Sequence, residues 1–254
     1  MEGAAPGPAG TPPAPGPAGT PPAPSARRVV IEALAASTAV TVVIGLGARL
    51  VPRAHVATFV GLVFLGATWL LVWRGSDDRV RRSGLALGGL LLGDVAWRSI
   101  ARAALVALAW AFGLALLSFG PYTGAWWWWW HPQRWALAIE PREALGEVLG
   151  QVLLIALPEE AFYRGYLQTR LDEAWAPRAR VLGAALGPGV VVSCAIFAVG
   201  HVITIPTPAR LAVFFPALAF GWLRARTGGI GAAVAFHALC NLYSELLGRG
   251  FGVY

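Results

Sequence analysis

LPEEAFYRGYLQ (157–168) sets two adjacent carboxylates, Glu159 and Glu160, and an arginine, Arg164, directly after a largely apolar run, EALGEVLGQVLLIA (143–156). Read as one helix, 144–166 is long enough to cross a bilayer, which takes about 20 apolar residues. Ionised groups at that depth are expensive, so each has to be paired or put to use. The whole chain has only 13 acidic residues among 254. Two of them side by side in such a helix need a reason.

The surrounding composition makes the membrane reading general. Hydrophobic residues are 57% and charged residues 13% of the chain, with a mean hydropathy of +0.61. A soluble domain is about a quarter charged. An all-α, polytopic bundle of transmembrane helices is therefore expected. The net charge of +7 comes from 20 arginines, because there is no lysine. These arginines fall between apolar runs instead of forming one basic surface, so they read as topological signals and not as a nucleic-acid site. Cys194 and Cys240 lie in apolar runs and read as packing residues.

Residues 1–26 carry GPAGTPPAP twice in tandem (7–15 and 16–24). Such a segment has no apolar face to bury, and a disordered or polyproline-like tail is expected. No signal peptide is apparent. Apolar spans then follow at about 29–50, 55–73, 101–119, 144–166, 188–206, 209–224 and 229–247. Seven spans are the working number. The stretch 84–97 is interrupted and reads as an interfacial helix, or as an eighth span if it enters the membrane. With the N-terminus in the cytoplasm, 14 arginines fall inside and six outside, which follows the positive-inside bias. AWWWWWHPQRW (125–135) then lies in an outer loop. Indole rings favour the headgroup layer, so a membrane anchor is preferred over a ligand platform.

Three polar clusters stand inside the later spans: Glu159, Glu160 and Arg164; Phe197 and His201 in FAVGH; His237 and Asn241 in FHALCN. Positions four apart share a helix face. Glu160 and Arg164 have that spacing in the favourable order, which leaves Glu159, about 100° away, in need of another partner. His237 and Asn241 likewise share a face, and His201 lies at similar depth in its own span. A dry carboxylate and an imidazole can activate water. A histidine N–H and an asparagine amide can stabilise a tetrahedral oxyanion. The same atoms of Glu159, His201 and His237 would also make an open zinc site, although no HExxH occurs. Spacing leaves both readings open.

EEAFYRGYLQTRL (159–171), FAVGH (197–201) and GWLRARTGGIGAAVAFHALCN (221–241) resemble the CPBP family, which includes the type II CAAX prenyl endopeptidases and bacteriocin-processing or immunity proteins. Its pattern of EExxxR, FxxxH and HxxxN or HxxxD occurs here in order, over roughly 143–247. The resemblance implies a glutamate-type intramembrane endopeptidase. Glu159 and His201 would activate water, and His237 and Asn241 would stabilise the oxyanion. Glu160, Arg164 and Phe197 would hold the site together. No cofactor is expected, with zinc as the inherited alternative. The implied layout is a tail (1–26), an N-terminal set of transmembrane helices and loops (27–140) and a catalytic bundle (141–254). An arginine-rich, lysine-free chain points to a bacterial inner-membrane member, resembling the myxosortases, that acts on a membrane-associated protein or peptide. The competing readings are a non-catalytic adaptor or immunity factor of the same fold, and a proton-coupled transporter, for which no internal inverted repeat is visible.

Overall fold

A computed structural model describes residues 24–93, 96–130, 135 and 141–252. Most of the proline-rich tail and the segments 131–134 and 136–140 lie outside these residues. The architecture is an all-α bundle with one small hairpin. Helix α1 (Ala26–Gly47) begins at Ser25, whose hydroxyl accepts from the Arg28 N–H. Helix α2 (Val56–Thr68) runs on through a π turn at Trp69–Trp73. A short α3 (Asp77–Arg82) follows, then the long α4 (Trp97–Trp130).

The stretch around the double glutamate forms one continuous helical rod. It consists of α5 (Pro141–Gly150), a π segment (Gln151–Ala156), α6 (Leu157–Glu160), a second π segment (Ala161–Gln168) and α7 (Thr169–Ala174). The two glutamates therefore sit on a short α turn between two wider turns. Such π insertions are often found at functional sites because they re-aim side chains. Helix α8 (Pro188–Thr204), α9 (Phe214–Thr227) and α10 (Gly231–Gly250) complete the bundle. α10 packs on α4 and α9, α8 packs on α9, and the rod packs on α2 and α8.

Helical segments thus occupy all seven expected positions. Three of them, Ala26–Gly47, Arg53–Trp73 and Trp97–Trp130, are long and apolar enough to cross a membrane by length and composition. Pro188–Thr204 is a shorter apolar helix. The other helical segments are broken by π turns, short, or interrupted by polar residues, and they are the ones that build the polar centre.

Two expectations need correction. The stretch 84–97 is neither an eighth span nor a regular interfacial helix. Its described part is a 3₁₀ segment, Leu87–Leu92, kinked at Gly88 and Gly89, where φ is 72° and 98°. Six residues in that form are far too short to span. The tryptophans Trp126–Trp130 are not in a loop but form the last turn and a half of α4. At 1.5 Å per residue that helix is about 50 Å long and outruns the ~30 Å hydrocarbon layer. The segment 175–187, for which no element was expected, contains an antiparallel hairpin, β1 (Ala179–Val181) with β2 (Ala184–Leu186). Leu182 and Gly183 take positive φ of 47° and 82°, as a tight two-residue turn between twisted strands requires. The Trp222 indole N–H donates to the Val181 carbonyl at 2.9 Å and ties the hairpin to α9.

Candidate active site

Glu160 and Arg164 are fully buried. The Arg164 Nη1–H group donates to Glu160 Oε1 at 2.9 Å, the i, i+4 pair expected of this rod. Its Nη2–H group donates to the Ala217 carbonyl on α9 at 3.1 Å. The guanidinium carbon lies 4.7 Å from the Phe197 ring centre and 5.1 Å from that of Phe220. Both are within the range of a cation–π contact. Arg164 therefore bolts the rod to α8 and α9 together. A lone carboxylate here would carry a large desolvation cost, and the pairing removes most of it.

His237 on α10 meets both glutamates. Its Nδ1 is 2.9 Å from Glu160 Oε1, and its Nε2 is 3.9 Å from Glu159 Oε2. The ring stacks on Phe220, with centres 4.7 Å apart and planes at 14°, and meets Phe197 edge-on at 5.9 Å. Phe197 and Phe220 thus form a two-sided box for both Arg164 and His237. Glu159 is the more open of the two acids, with 11% of its side chain accessible against 0% for Glu160. Glu159 Oε2 has no hydrogen-bond partner.

His201 lies near the end of α8, half-buried, with Nδ1 2.9 Å from the Phe197 carbonyl one turn back. Its ring packs on Phe197 at 4.4 Å between centres. Phe197 therefore touches both histidines, and Nε2 of His201 is left for another partner. Asn241 departs from the simplest expectation. It does not share a partner with His237 but donates from Nδ2 to Gln151 Oε1 at 3.0 Å. Gln151, in turn, donates from Nε2 to Glu147 Oε1 at 3.1 Å. Gln151 and Phe220 carry no motif, and sequence reasoning missed both. A polar residue in the otherwise apolar GQVLLIA was the only available signal for Gln151.

Residues 141–243 match the family model for type II CAAX prenyl endopeptidase Rce1-like proteins. The match covers 103 of the 254 residues, so the similarity to the Rce1-like family is that of this part of the chain. The match begins with the rod and ends two residues beyond Asn241, so it encloses every side chain described above. No curated protein and no solved structure matches the chain. This similarity supports a protease of the general CAAX-endopeptidase type, acting on a peptide or protein in a membrane setting. Among the described residues, no group of three or more His, Cys, Asp or Glu side chains is arranged to hold a metal ion. His237 Nδ1 faces Glu160 and His201 Nδ1 faces its own helix, so Nε2 is the nitrogen each ring would turn to a water or an ion.

Proposed function

We propose that the protein is a glutamate-type intramembrane endopeptidase in which Glu159 activates water and His201 helps to orient it. The observation that carries this reading is the 3.9 Å separation of Glu159 Oε2 and His237 Nε2. That gap is too long for a direct hydrogen bond and leaves room between the two groups for a reacting oxygen, which Glu159 and His237 would approach from either side. Glu160, already committed to Arg164 and His237, acts as the fixed member of the pair.

In the reaction, Glu159 takes a proton from water while the water oxygen bonds to the scissile carbonyl carbon. The carbonyl π electrons move to oxygen, and the oxyanion accepts hydrogen bonds from His237 and from the Asn241 amide. His237, held by Glu160 at Nδ1, turns Nε2 toward the oxyanion. When the carbon–nitrogen bond breaks, the proton held on Glu159 passes to the leaving amine. The products are a carboxylic acid and an amine, and no cofactor is consumed.

The setting proposed is a multi-pass protein of a bacterial inner membrane, with its N-terminus in the cytoplasm, whose substrate is a membrane-associated protein or peptide. The tail (1–26), the N-terminal helices (27–140) and the catalytic bundle (141–254) are the units of that arrangement. The test is cleavage of a membrane-tethered reporter by Glu159→Gln and His201→Ala proteins that accumulate normally. Loss of cleavage is expected. Normal cleavage by either variant overturns the mechanism, and complementation of a deletion phenotype by Glu159→Gln would identify a non-catalytic adaptor.

A further inference from the structure

A cavity of about 310 Å³ opens between α4, α5 and α10, beyond Asn241 on the side toward the end of α10. Its floor is apolar, made by Phe119, Val148, Leu239 and Leu246. One wall is fixed by the Phe119 and Tyr243 rings, stacked 4.1 Å apart and nearly parallel. Its rim is acidic. Glu143, Glu147 and Glu245 all line it, against one guanidinium, that of Arg249. Arg249 lies 2.5 Å from Glu245 and 3.5 Å from Glu147. Among the described residues, three carboxylates against one cation leave the rim negative.

The cavity is joined to the proposed centre by hydrogen bonds. Glu147 on the rim accepts from Gln151, and Gln151 accepts from Asn241. Leu239 and Leu242 flank Asn241 on α10 and face the same space. A chain seated in the cavity would thus lead directly to the amide that faces the oxyanion in the mechanism above.

We propose that this cavity is a substrate subsite that takes an apolar side chain next to a cationic residue, arginine or lysine, of the peptide being cut. This rests on the endopeptidase reading for the identity of the peptide. It depends only on the cavity for the charge preference. A lipid chain would use the floor but gain nothing from the acidic rim. A neutral apolar segment would leave the carboxylates without a complement. The cationic neighbour uses both features.

The test is binding, kept separate from cleavage. Dansyl-labelled, C-terminally amidated peptides ending in Leu-Leu-Arg, Leu-Leu-Gln or Leu-Leu-Glu are titrated against the full-length Glu159→Gln protein in a neutral detergent, and fluorescence is read. The arginine probe should bind about fivefold tighter than the glutamine probe, as expected for two or three partly exposed charge contacts. That preference should shrink as salt is raised. Adding E143Q and E245Q together should abolish the preference, and E143K with E245K should transfer it to the glutamate probe. Ala144→Trp, which fills the cavity, should weaken all three probes. Equal binding of the three peptides, or a charge preference untouched by the rim substitutions or by Ala144→Trp, overturns the proposal. Charge-selective binding together with a wild-type protein that cleaves nothing would instead overturn the endopeptidase reading and leave the subsite standing.

Discussion

His237 holds Glu160 through Nδ1 at 2.9 Å and faces Glu159 through Nε2 at 3.9 Å. One ring thereby gives two neighbouring carboxylates unequal surroundings. Glu160 Oε1 is locked by an imidazole and a guanidinium, whereas Glu159 meets the imidazole only at 3.9 Å; Oε2 of each acid is buried without a hydrogen-bond partner.

The asymmetry predicts different phenotypes. Glu159→Gln preserves shape and removes only a proton acceptor, so turnover should fall by about 10²–10⁴ with the unfolding temperature unchanged. Arg164→Leu removes the guanidinium from buried Glu160, leaving His237 as its remaining partner, and should cost about 3–5 kcal/mol. Parallel cleavage and thermal-unfolding assays in detergent check both. A marked loss of stability in Glu159→Gln would show that the two acids are equivalent.

Much of this centre was legible in the sequence. The four-residue spacing from Glu160 to Arg164 gives one helix face, and their 2.9 Å contact follows from it. The order of apolar runs likewise placed the helices. What the sequence hid depends on the π turns of the rod and on tertiary contacts. Spacing within α10 puts His237 and Asn241 on one face but does not reveal that Asn241 reaches Gln151 on another helix. Nor does it show that Phe220 stacks on His237. The tryptophan run misled because composition alone does not say whether a helix stops at the membrane surface or continues past it.

The Gln151–Asn241 bond assigns Gln151 a positioning role. With Gln151→Ala the Asn241 amide loses its anchor while staying in place on α10. The expected result is a fall in kcat of about tenfold, well short of the 10²–10³ expected when an oxyanion donor is deleted outright, as in Asn241→Ala. KM should hardly move in either variant. Steady-state kinetics on a reporter peptide separate the two effects, and an increase in KM alone for Gln151→Ala would assign that residue to binding.

Metal removal provides a third test. His237 directs its two nitrogens at two different carboxylates, an arrangement that suits water activation by Glu159 without a metal. Protein treated with a strong chelator should therefore retain full activity, and elemental analysis should find less than one equivalent of zinc. Loss of activity that returns with added zinc would replace the proposed mechanism.

Asp172 makes stability depend on pH. It lies on α7, beyond the predicted span 144–166, where burial pushes its carboxyl up to about 6 against the weaker opposing pull of Arg224 and Gln168. Its Oδ1 has no hydrogen-bond partner and sits at the first turn of α8, where a Cβ on Gly189 would come within 2.4 Å of it. A carboxyl whose folded pKa is above its unfolded value binds a proton on folding, so stability falls as pH rises. The fall should run from about pH 4, the ordinary carboxylate range, to about pH 6 and then level off. Asp172→Asn should flatten it, which places the variant above wild type at pH 7 and level with it near pH 4. Thermal unfolding across that range decides the matter, and a wild-type curve that rises between pH 4 and 6 would contradict the assignment.

Gly61 tests the packing that carries the rod. A Cβ at this position would lie 2.5 Å from the Leu154 carbonyl oxygen, which is backbone on a different helix and has little freedom to move away. Small residues allow such close helix approach within a membrane. Gly61→Ala adds one methyl group but should push α2 away from the π segment just before Pro158, at a cost of about 1–3 kcal/mol, typical of overpacking. Gly66, on the same helix, has nothing within 4 Å of an added Cβ, and Gly66→Ala should be neutral or slightly stabilising. Because the rod positions Glu159, Gly61→Ala should lower activity together with unfolding temperature, whereas Gly66→Ala should leave both unchanged. If the two alanines behave alike, the contact between α2 and the rod is looser than the geometry requires.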